Sequence, residues 1–246
     1  MYILESASRM RAYVVNLDSR PERWRQIQTR FKRSSVKLRR FPAIEHESGG
    51  LGNALSVLKV LKMAKKEKLH NVLLLEDDCL PAPGWEENWK AVRHWLDTHE
   101  DEWDLYVGGA WGGNNLFQDL TDFFGVGPTE VGHVGKNILF KYPFVTLGGH
   151  WVYYNHKSYT NLITYYERLI AIRKTALDVP WMNLDCHHMA FRTISSYPFI
   201  AYQKSAYSNV SEEFVDREKL IKGYEKRVGR HLTRKHGRTT RSITNV

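Results

Sequence analysis

Short apolar runs and amphipathic stretches alternate along the first hundred residues. The runs are rich in β-branched and aromatic residues, and they predict strands at 11–16, 38–44, 72–75 and 103–107. Between them, apolar residues recur at helical spacing, which predicts helices capped by Ser19 and Asn53 and a third helix at about 85–96. This alternation predicts an α/β fold, in which a mainly parallel sheet flanked by helices binds ligands at the carboxyl ends of its strands.

The pattern changes after residue 108. Residues 112–137 are rich in glycine and polar residues and show no period, which predicts a long functional loop. Beyond it, residues 144–154 are predicted to be extended, 159–170 helical and 196–202 a late strand. With no internal repeat and no proline-rich or serine-rich linker, the pattern favours a single domain over residues 1–221.

Positive charge is concentrated at the end of the chain. The net charge is +9, and residues 222–246 hold eight Lys/Arg and one acid, Glu225, so the other 221 residues carry only +2. A polar terminus of this composition is predicted to be a flexible, solvated tail that is free to contact an anionic surface. The body is not expected to bind nucleic acid. A non-enzymatic anion-binding or nucleic-acid-binding module is an alternative that rests on the tail alone.

Other features of the sequence indicate where in the cell the protein is expected to be. No apolar run approaches ~18–20 residues, so no membrane span is expected. The first residues lack a basic region followed by an apolar one, so no signal peptide and a cytoplasmic location are expected. Two cysteines, Cys79 and Cys186, fit a reducing compartment or a single isolated pair. With His187 and His188 they supply zinc-binding residue types, but without finger-like spacing, so packed thiols are the expectation.

Three carboxylates, Glu76, Asp77 and Asp78, follow the predicted strand at 72–75. In an extended chain Glu76 and Asp78 point to one side and Asp77 to the other. Two oxygen donors at the end of a strand can hold a hard divalent cation, and such an ion neutralises phosphate groups. The alternative is structural: the acids cap the following turn or pair with lysine or arginine side chains.

Several segments resemble glycosyltransferase family 25, which contains lipopolysaccharide-core and collagen sugar transferases. The stronger matches are YVVNLDSRPERW, which begins at Tyr13, and FPAIEHESGGLGNALSVLKVLKMAKKEKLHNVLLLEDDC, which ends at Cys79. Fainter matches are FVTLGGHWVYYNHKSYTNLI, NLDCHHMA and PFIAYQKSAYSNVSE. Together they run from about Tyr13 to Ser211, most of the chain.

The resemblance implies a GT-A fold, in which a Rossmann-like nucleotide half at about 11–110 merges with an acceptor half at about 140–215. It implies a UDP-sugar donor and Mn²⁺ or Mg²⁺ at the acidic motif. It also implies transfer of galactose, glucose or xylose, with inversion, to a hydroxyl of a glycan or glycoconjugate. The metal would lie at Glu76 and Asp78. The donor-binding residues would be Asn16, Asp18, Arg20, Arg23, Glu45, Glu76 and Asp77.

An inverting transfer also needs a base for the acceptor hydroxyl. Asp185 fits the late acidic position of the family, and Asp178 is the second candidate. Imidazole is an acceptable Mn²⁺ ligand, so His187 or His188 could complete the metal shell. Arg20 and Arg23 could contact phosphate oxygens or could simply be solvated at the start of a helix.

Two points limit the resemblance. The family often has Cys-Ala-Leu-Ser-His on the helix before the acidic strand, where this chain has Asn53-Ala54-Leu55-Ser56-Val57, so the donor or the acceptor is expected to differ. A nucleotidyl or phosphoryl transferase could use the same acidic strand end. The absence of a GxxxxGK[ST] sequence weighs against its P-loop versions.

Overall fold

The computed structural model describes residues 10–110, 127–141, 148–175, 190–208 and 213–241. The strands are β1 (Met10–Asn16), β2 (Val36–Pro42), β3 (Asn71–Glu76), β4 (Cys79–Pro81), β5 (Leu105–Val107), β6 (Thr129–Val134), β7 (Asn137–Lys141), β8 (Trp151–Asn155), β9 (Thr193–Tyr197), β10 (Ala201–Gln203), β11 (Ala206–Ser208) and β12 (Glu213–Val215). The helices are α1 (Pro21–Phe31), α2 (Gly49–Lys66), α3 (Trp85–Thr98), α4 (Tyr159–Thr175) and α5 (Arg217–Arg241).

The central sheet is mixed and has eight strands in the order β2-β1-β3-β8-β5-β9-β7-β6. β1 pairs with β2 and β3, and β5 with β9, in parallel. The antiparallel pairs are β3 with β8, β8 with β5, β9 with β7, and β7 with β6. Only β7 and β8 therefore run against the other strands of this sheet, and the predicted α/β class is confirmed.

Helices cover both faces of the sheet because β3 is apolar on both sides. Val72 and Leu74 pack with α2 and α4, whereas Leu73 and Leu75 pack with α1 and α3. A four-residue apolar run without alternation is what a strand buried on both faces requires. The four side chains are almost completely buried.

Both predicted helix caps differ from the structure. The residue before α1 is Arg20, which makes no side-chain cap, and not Ser19. Helix α2 begins at Gly49, and Ser48 caps it by accepting a hydrogen bond from the backbone N–H of Leu51. The glycine-rich stretch is therefore the first turn of a helix and not a flexible turn. A Cβ at Gly52 would lie 2.6 Å from the carbonyl oxygen of Ile44, so the close packing of this turn requires glycine.

Part of the predicted loop at 112–137 is regular structure. β6 and β7 form an antiparallel hairpin closed by a turn at Gly135, whose φ is +58°. Residues 111–126 lie outside the described part. The predicted late strand at 196–202 divides into the end of β9 and the start of β10, which pairs with β4 instead of joining the main sheet.

The C-terminal segment corrects the expectation of a flexible tail from residue 222. Residues 217–241 form α5, and the expected boundary falls inside this helix. Ile221, Val228 and Leu232 are buried against Phe140 and Phe199. These three residues follow one another at intervals of seven and four positions, so they lie on one side of the helix. They are few among many basic residues, and for that reason the sequence pattern did not predict a packed helix here. No helix in the described ranges is both long enough and apolar enough to span a membrane.

We expect Leu232→Ala to destabilise the protein by about 2–4 kcal/mol, because a buried leucine side chain leaves a cavity. Leu220 lies on the same helix but is 43% exposed, so Leu220→Ala should cost less than about 0.5 kcal/mol. Urea unfolding of the two variants measures the difference. Equal midpoints would show that the inner side of α5 is not buried in solution.

Candidate functional site

The carboxyl ends of β1 and β3 meet at one edge of the sheet, and polar side chains gather there. β1 ends at Asn16 and β3 at Glu76, and these strands are parallel neighbours. The antiparallel β8 begins at the same edge, where the N–H of Glu76 donates to the carbonyl of His150 at 3.2 Å. Ligands of α/β sheets bind at such edges, because the connecting loops leave room beyond the strand ends.

Asp77 is tied into the protein. Its carboxylate accepts a hydrogen bond from Asn16 Nδ2 at 2.8 Å and another from Arg23 NH1 at 3.2 Å. Asn16 is completely buried and also accepts from Arg40 Nε at 2.8 Å. Asp77 thus follows the structural interpretation of the acidic motif, since a buried carboxylate needs partners of this kind.

Glu76 and Asp78 converge on one amide group. Gln203 Nε2 donates to Glu76 Oε2 at 3.1 Å and to Asp78 Oδ2 at 3.1 Å. The two carboxylate oxygens therefore lie no further apart than twice that distance. Asp77 and Asp78 lie in the turn between β3 and β4, so the convergence of Glu76 and Asp78 follows from that turn and not from the alternation of an extended chain.

Two residues of this group were not predicted from the sequence. Asn53 Nδ2 donates to Glu76 Oε1 at 3.3 Å, from the interior of α2 and not from its cap. Gln203 ends β10, 127 positions after Glu76. Asn53 could have been noticed because it lies in the segment that resembles glycosyltransferase family 25, at a position where that family often has cysteine. For Gln203 no local pattern pointed to a contact with the acidic motif.

The environment of Asp78 favours its neutral form. Burial and the neighbouring Asp77 carboxylate raise the pKa of Asp78 from 3.8 to about 6, against the opposing effects of Arg23 and Gln203. Arg23 NH1 lies 4.0 Å from Asp78 Oδ2, too far for a hydrogen bond. A carboxylate in this position gains from any cation that approaches it, because its charge is only partly compensated.

His150 packs beside the site and contacts β10. Its side chain is completely buried, and Nε2 lies 3.3 Å from the carbonyl oxygen of Ala201. Burial lowers the pKa of His150 to about 4, so the ring is neutral at neutral pH. In the tautomer that donates from Nε2, the ring joins the start of β8 to β10. It thereby helps to place Gln203.

The other predicted donor-binding residues lie near the same edge of the sheet. Asp18 is exposed and pairs with Arg40 at 2.5 Å. The backbone carbonyl of Arg20 accepts a hydrogen bond from Asn16 Nδ2 at 3.0 Å. Glu45 is exposed in the connection from β2 to α2. Asp178, Asp185, His187 and His188 lie outside the described residues, so their predicted roles stay predictions.

Cys79 is a buried free thiol whose pKa is raised by burial and by the nearby Asp78 carboxylate. A thiol with a raised pKa is a poor metal ligand, because metals bind the thiolate. This fits the expected packed thiol. Cys186 lies outside the described residues.

The donor set around Glu76 and Asp78 fits a hard divalent cation. Gln203 Nε2 places a partly positive N–H group between the two carboxylates, where a cation would be attracted more strongly. Carboxylate oxygens with a side-chain amide nearby are typical ligands of Mg²⁺ and Mn²⁺. Glu76 and Asp78 could therefore hold such an ion.

Comparison with known proteins assigns no family. No protein-family model matches the chain, and no curated protein matches it. The solved structure of mannose-1-phosphate geranyltransferase from Thermus thermophilus is similar over 76% of this chain and 73% of its own, with 10% sequence identity and a TM-score of 0.38. A likeness of that size carries no argument about activity.

We expect Asp78→Asn to stabilise the metal-free protein above pH 7. Because folding raises the pKa of Asp78 to about 6, the folded state loses stability as pH rises from about 4 to about 6, and asparagine avoids that loss. The gain should be about 1–3 kcal/mol, or roughly 2–10 °C in melting temperature. Melting curves without metal between pH 4 and 8 measure it, and the gain should vanish near pH 4.

Asp101→Asn is the control, because Asp101 is exposed and a hydrogen bond from Lys157 lowers its pKa. This variant should not gain stability above pH 7. A gain of Asp78→Asn that stays constant from pH 4 to pH 8 would contradict a raised pKa as the cause.

Proposed function

We propose that the chain is a metal-dependent glycosyltransferase of GT-A type that uses a UDP-sugar, with Mn²⁺ or Mg²⁺ held by Glu76 and Asp78. The observation that carries the proposal is the convergence of these two carboxylates on Gln203 at the carboxyl edge of the sheet. The resemblance of residues 13–211 to glycosyltransferase family 25 supports the donor class and the expectation of inversion.

The proposed chemistry explains why negative charge is kept at this strand end. Departure of UDP from a sugar leaves charge on the diphosphate, and a bound divalent cation stabilises that charge by several kcal/mol. Two carboxylates alone would repel a diphosphate. The cation reverses the sign of the interaction and lets the acidic motif bind an anionic donor.

The chain's own residues hold the carboxylates in place. Asn16 and Arg23 anchor Asp77, so the residues on either side of it are held in one orientation. Asn53 and Gln203 orient Glu76 from two separate elements. Such outer partners commonly account for 10–100-fold in metal affinity or activity.

Arginine side chains near the motif supply positive charge for a diphosphate. Arg23 lies beside Asp77 and Asp78, and Arg217 NH1 donates to Gln203 Oε1 at 3.5 Å. A guanidinium can bind a phosphate through two parallel hydrogen bonds. Arg23 already serves Asp77, so its contribution to donor binding would be shared with that structural role.

The resemblance assigns the acceptor side to Asp185, with Asp178 as the second candidate. The base would take the proton of the acceptor hydroxyl as that oxygen attacks the anomeric carbon and UDP leaves from the opposite face. A single displacement of this kind inverts the anomeric configuration. The sugar would be galactose, glucose or xylose, and the acceptor a glycan or glycoconjugate.

We expect UDP to stabilise the wild-type protein in the presence of Mn²⁺, by about 2.7 kcal/mol at 100 times its dissociation constant. The stabilisation should be absent without metal and absent in Asp78→Ala, because the diphosphate would then meet uncompensated carboxylates. A thermal-shift panel of UDP and UDP-sugars, with and without Mn²⁺, measures the effect.

Glu167→Gln is the matched control, since Glu167 pairs with Lys62 on an exposed surface and its removal should leave the shift unchanged. UDP stabilisation that persists in Asp78→Ala, or that needs no metal, would refute the proposed site. Release of pyrophosphate from a nucleoside triphosphate and a sugar phosphate would instead assign the site to a nucleotidyl transferase.

A further inference from the structure

A second group of metal-binding residue types lies at the opposite edge of the sheet. His70 precedes β3, His156 follows β8, and Glu100 follows α3. One donor atom from each of the three lies within 4.8 Å of the others. We call this group the distal cluster, because it lies at the other end of β3 and β8 from Glu76.

The spacing of the distal cluster is close to that of a metal site. His70 Nε2 is 3.1 Å from Glu100 Oε1, and His156 Nδ1 is 3.9 Å from the same oxygen. Ligands about 2.0–2.2 Å from a tetrahedral zinc ion lie roughly 3.3–3.5 Å apart. Both nitrogen–oxygen distances are within about 0.6 Å of that separation.

The two imidazole rings stack with centroids 4.4 Å apart and planes inclined by 29°. A nitrogen of each ring lies within 4 Å of the same carboxylate oxygen, Glu100 Oε1. Burial and the neighbouring His70 lower the pKa of His156. A neutral imidazole nitrogen is the form that binds a metal.

Backbone and side-chain contacts fix the three segments. The N–H of Leu69 donates to the carbonyl of Ala64 at 3.0 Å and closes the end of α2, with Lys68 in a left-handed conformation, just before His70. Asn155 Nδ2 donates to the carbonyl of Glu100 at 2.8 Å.

Asn71 connects the other two members. Its Oδ1 accepts from the N–H of His156 at 2.9 Å, and its Nδ2 lies 3.5 Å from Glu100 Oε1. His156 Nδ1 also lies 3.3 Å from Asn71 Oδ1, a contact that a metal would replace. Outer partners of this kind orient the ligands of metal sites.

We propose that His70, Glu100 and His156 bind one zinc-class divalent ion, which ties together the α2–β3, α3–β5 and β8–α4 connections. Two imidazoles and one carboxylate are a ligand set typical of Zn²⁺, and three protein ligands leave a fourth position for water. The side chains of His70, Glu100 and His156 are 23%, 16% and 9% exposed, so an ion can reach them from solvent.

The distal cluster and the carboxylate pair should select different metals. Imidazole suits Zn²⁺ and Co²⁺, whereas a site made of oxygen donors suits Mg²⁺ and Mn²⁺. Loss of one site should therefore leave the other intact. The distal proposal does not depend on the proposed transferase activity.

The test is a Zn²⁺ titration of the metal-free protein against a chromogenic chelator, followed by Co²⁺ absorption spectra. Wild type should bind Zn²⁺ at the distal cluster and give the intense visible bands of tetrahedral Co²⁺. His70→Ala and Glu100→Gln should each lose one equivalent of Zn²⁺, or bind it at least about 10-fold more weakly. Glu100→Gln keeps the volume of the side chain, so this variant is expected to fold even if His70→Ala does not.

Two controls match these variants. His94 and Glu102 are exposed on the same part of the chain, and His94→Ala and Glu102→Gln should bind Zn²⁺ as wild type does. Asp78→Ala should also keep this equivalent. Unchanged Zn²⁺ stoichiometry and affinity in both His70→Ala and Glu100→Gln would overturn the proposal. A folded wild type without tetrahedral Co²⁺ bands would also overturn it, leaving a proton-sharing His–Glu pair.

Discussion

Glu76, Asp77 and Asp78 place three carboxylates at the end of a buried strand, and each of them needs a hydrogen-bond or charge partner. The distribution of those partners determines the arrangement of the site. Asp77 receives a buried amide and an arginine. Glu76 and Asp78 share the amide of Gln203, and the pKa of Asp78 is raised to about 6. A neutral donor compensates a carboxylate less than a cation does. A cation near Asp78 would offset the effects of burial and of Asp77 that raise the pKa of this carboxyl group.

Helix α5, near the end of the chain, helps to fix the position of Gln203 beside the carboxylates. Glu225 of α5 accepts hydrogen bonds from the N–H of Phe199 and the hydroxyl of Tyr202, both at 2.7 Å. Tyr202 directly precedes Gln203, so the docking of a basic helix is transmitted to the carboxylate pair. A truncation at residue 222 would remove Glu225 and Leu232 from the packed structure. A loss of ligand binding in such a variant would therefore not distinguish lost support from lost positive charge.

The sequence predicted the elements that carry a strong local pattern. β3 was recognisable because a four-residue apolar run buried on both faces has few alternatives. The expected alternation of Glu76 and Asp78 assumed an extended chain, whereas Asp77 and Asp78 form the turn between β3 and β4. Hairpin β6–β7 was missed because β6 includes glycine and histidine and is only half-buried, so it shows no apolar alternation.

Other parts of the site depend on contacts that no local pattern encodes. Gln203 reaches Glu76 across 127 positions, and that contact follows from the pairing of β10 with β4. Asn53 looked like a cap because glycines precede it. The close approach of Gly52 to Ile44 shows that this glycine serves helix packing instead.

One antiparallel pair of strands connects the two candidate metal sites. Because β8 runs against β3, it begins beside Glu76 and ends beside Asn71, where His156 follows. Leu75 lies opposite Trp151 and Asn71 opposite Asn155, so one register determines both ends of the pair. A shift of one residue would turn every side chain of β8 to the opposite face and break both groups together. The apolar core between the two edges is thus the constraint that keeps a carboxylate pair at one end and a histidine pair at the other.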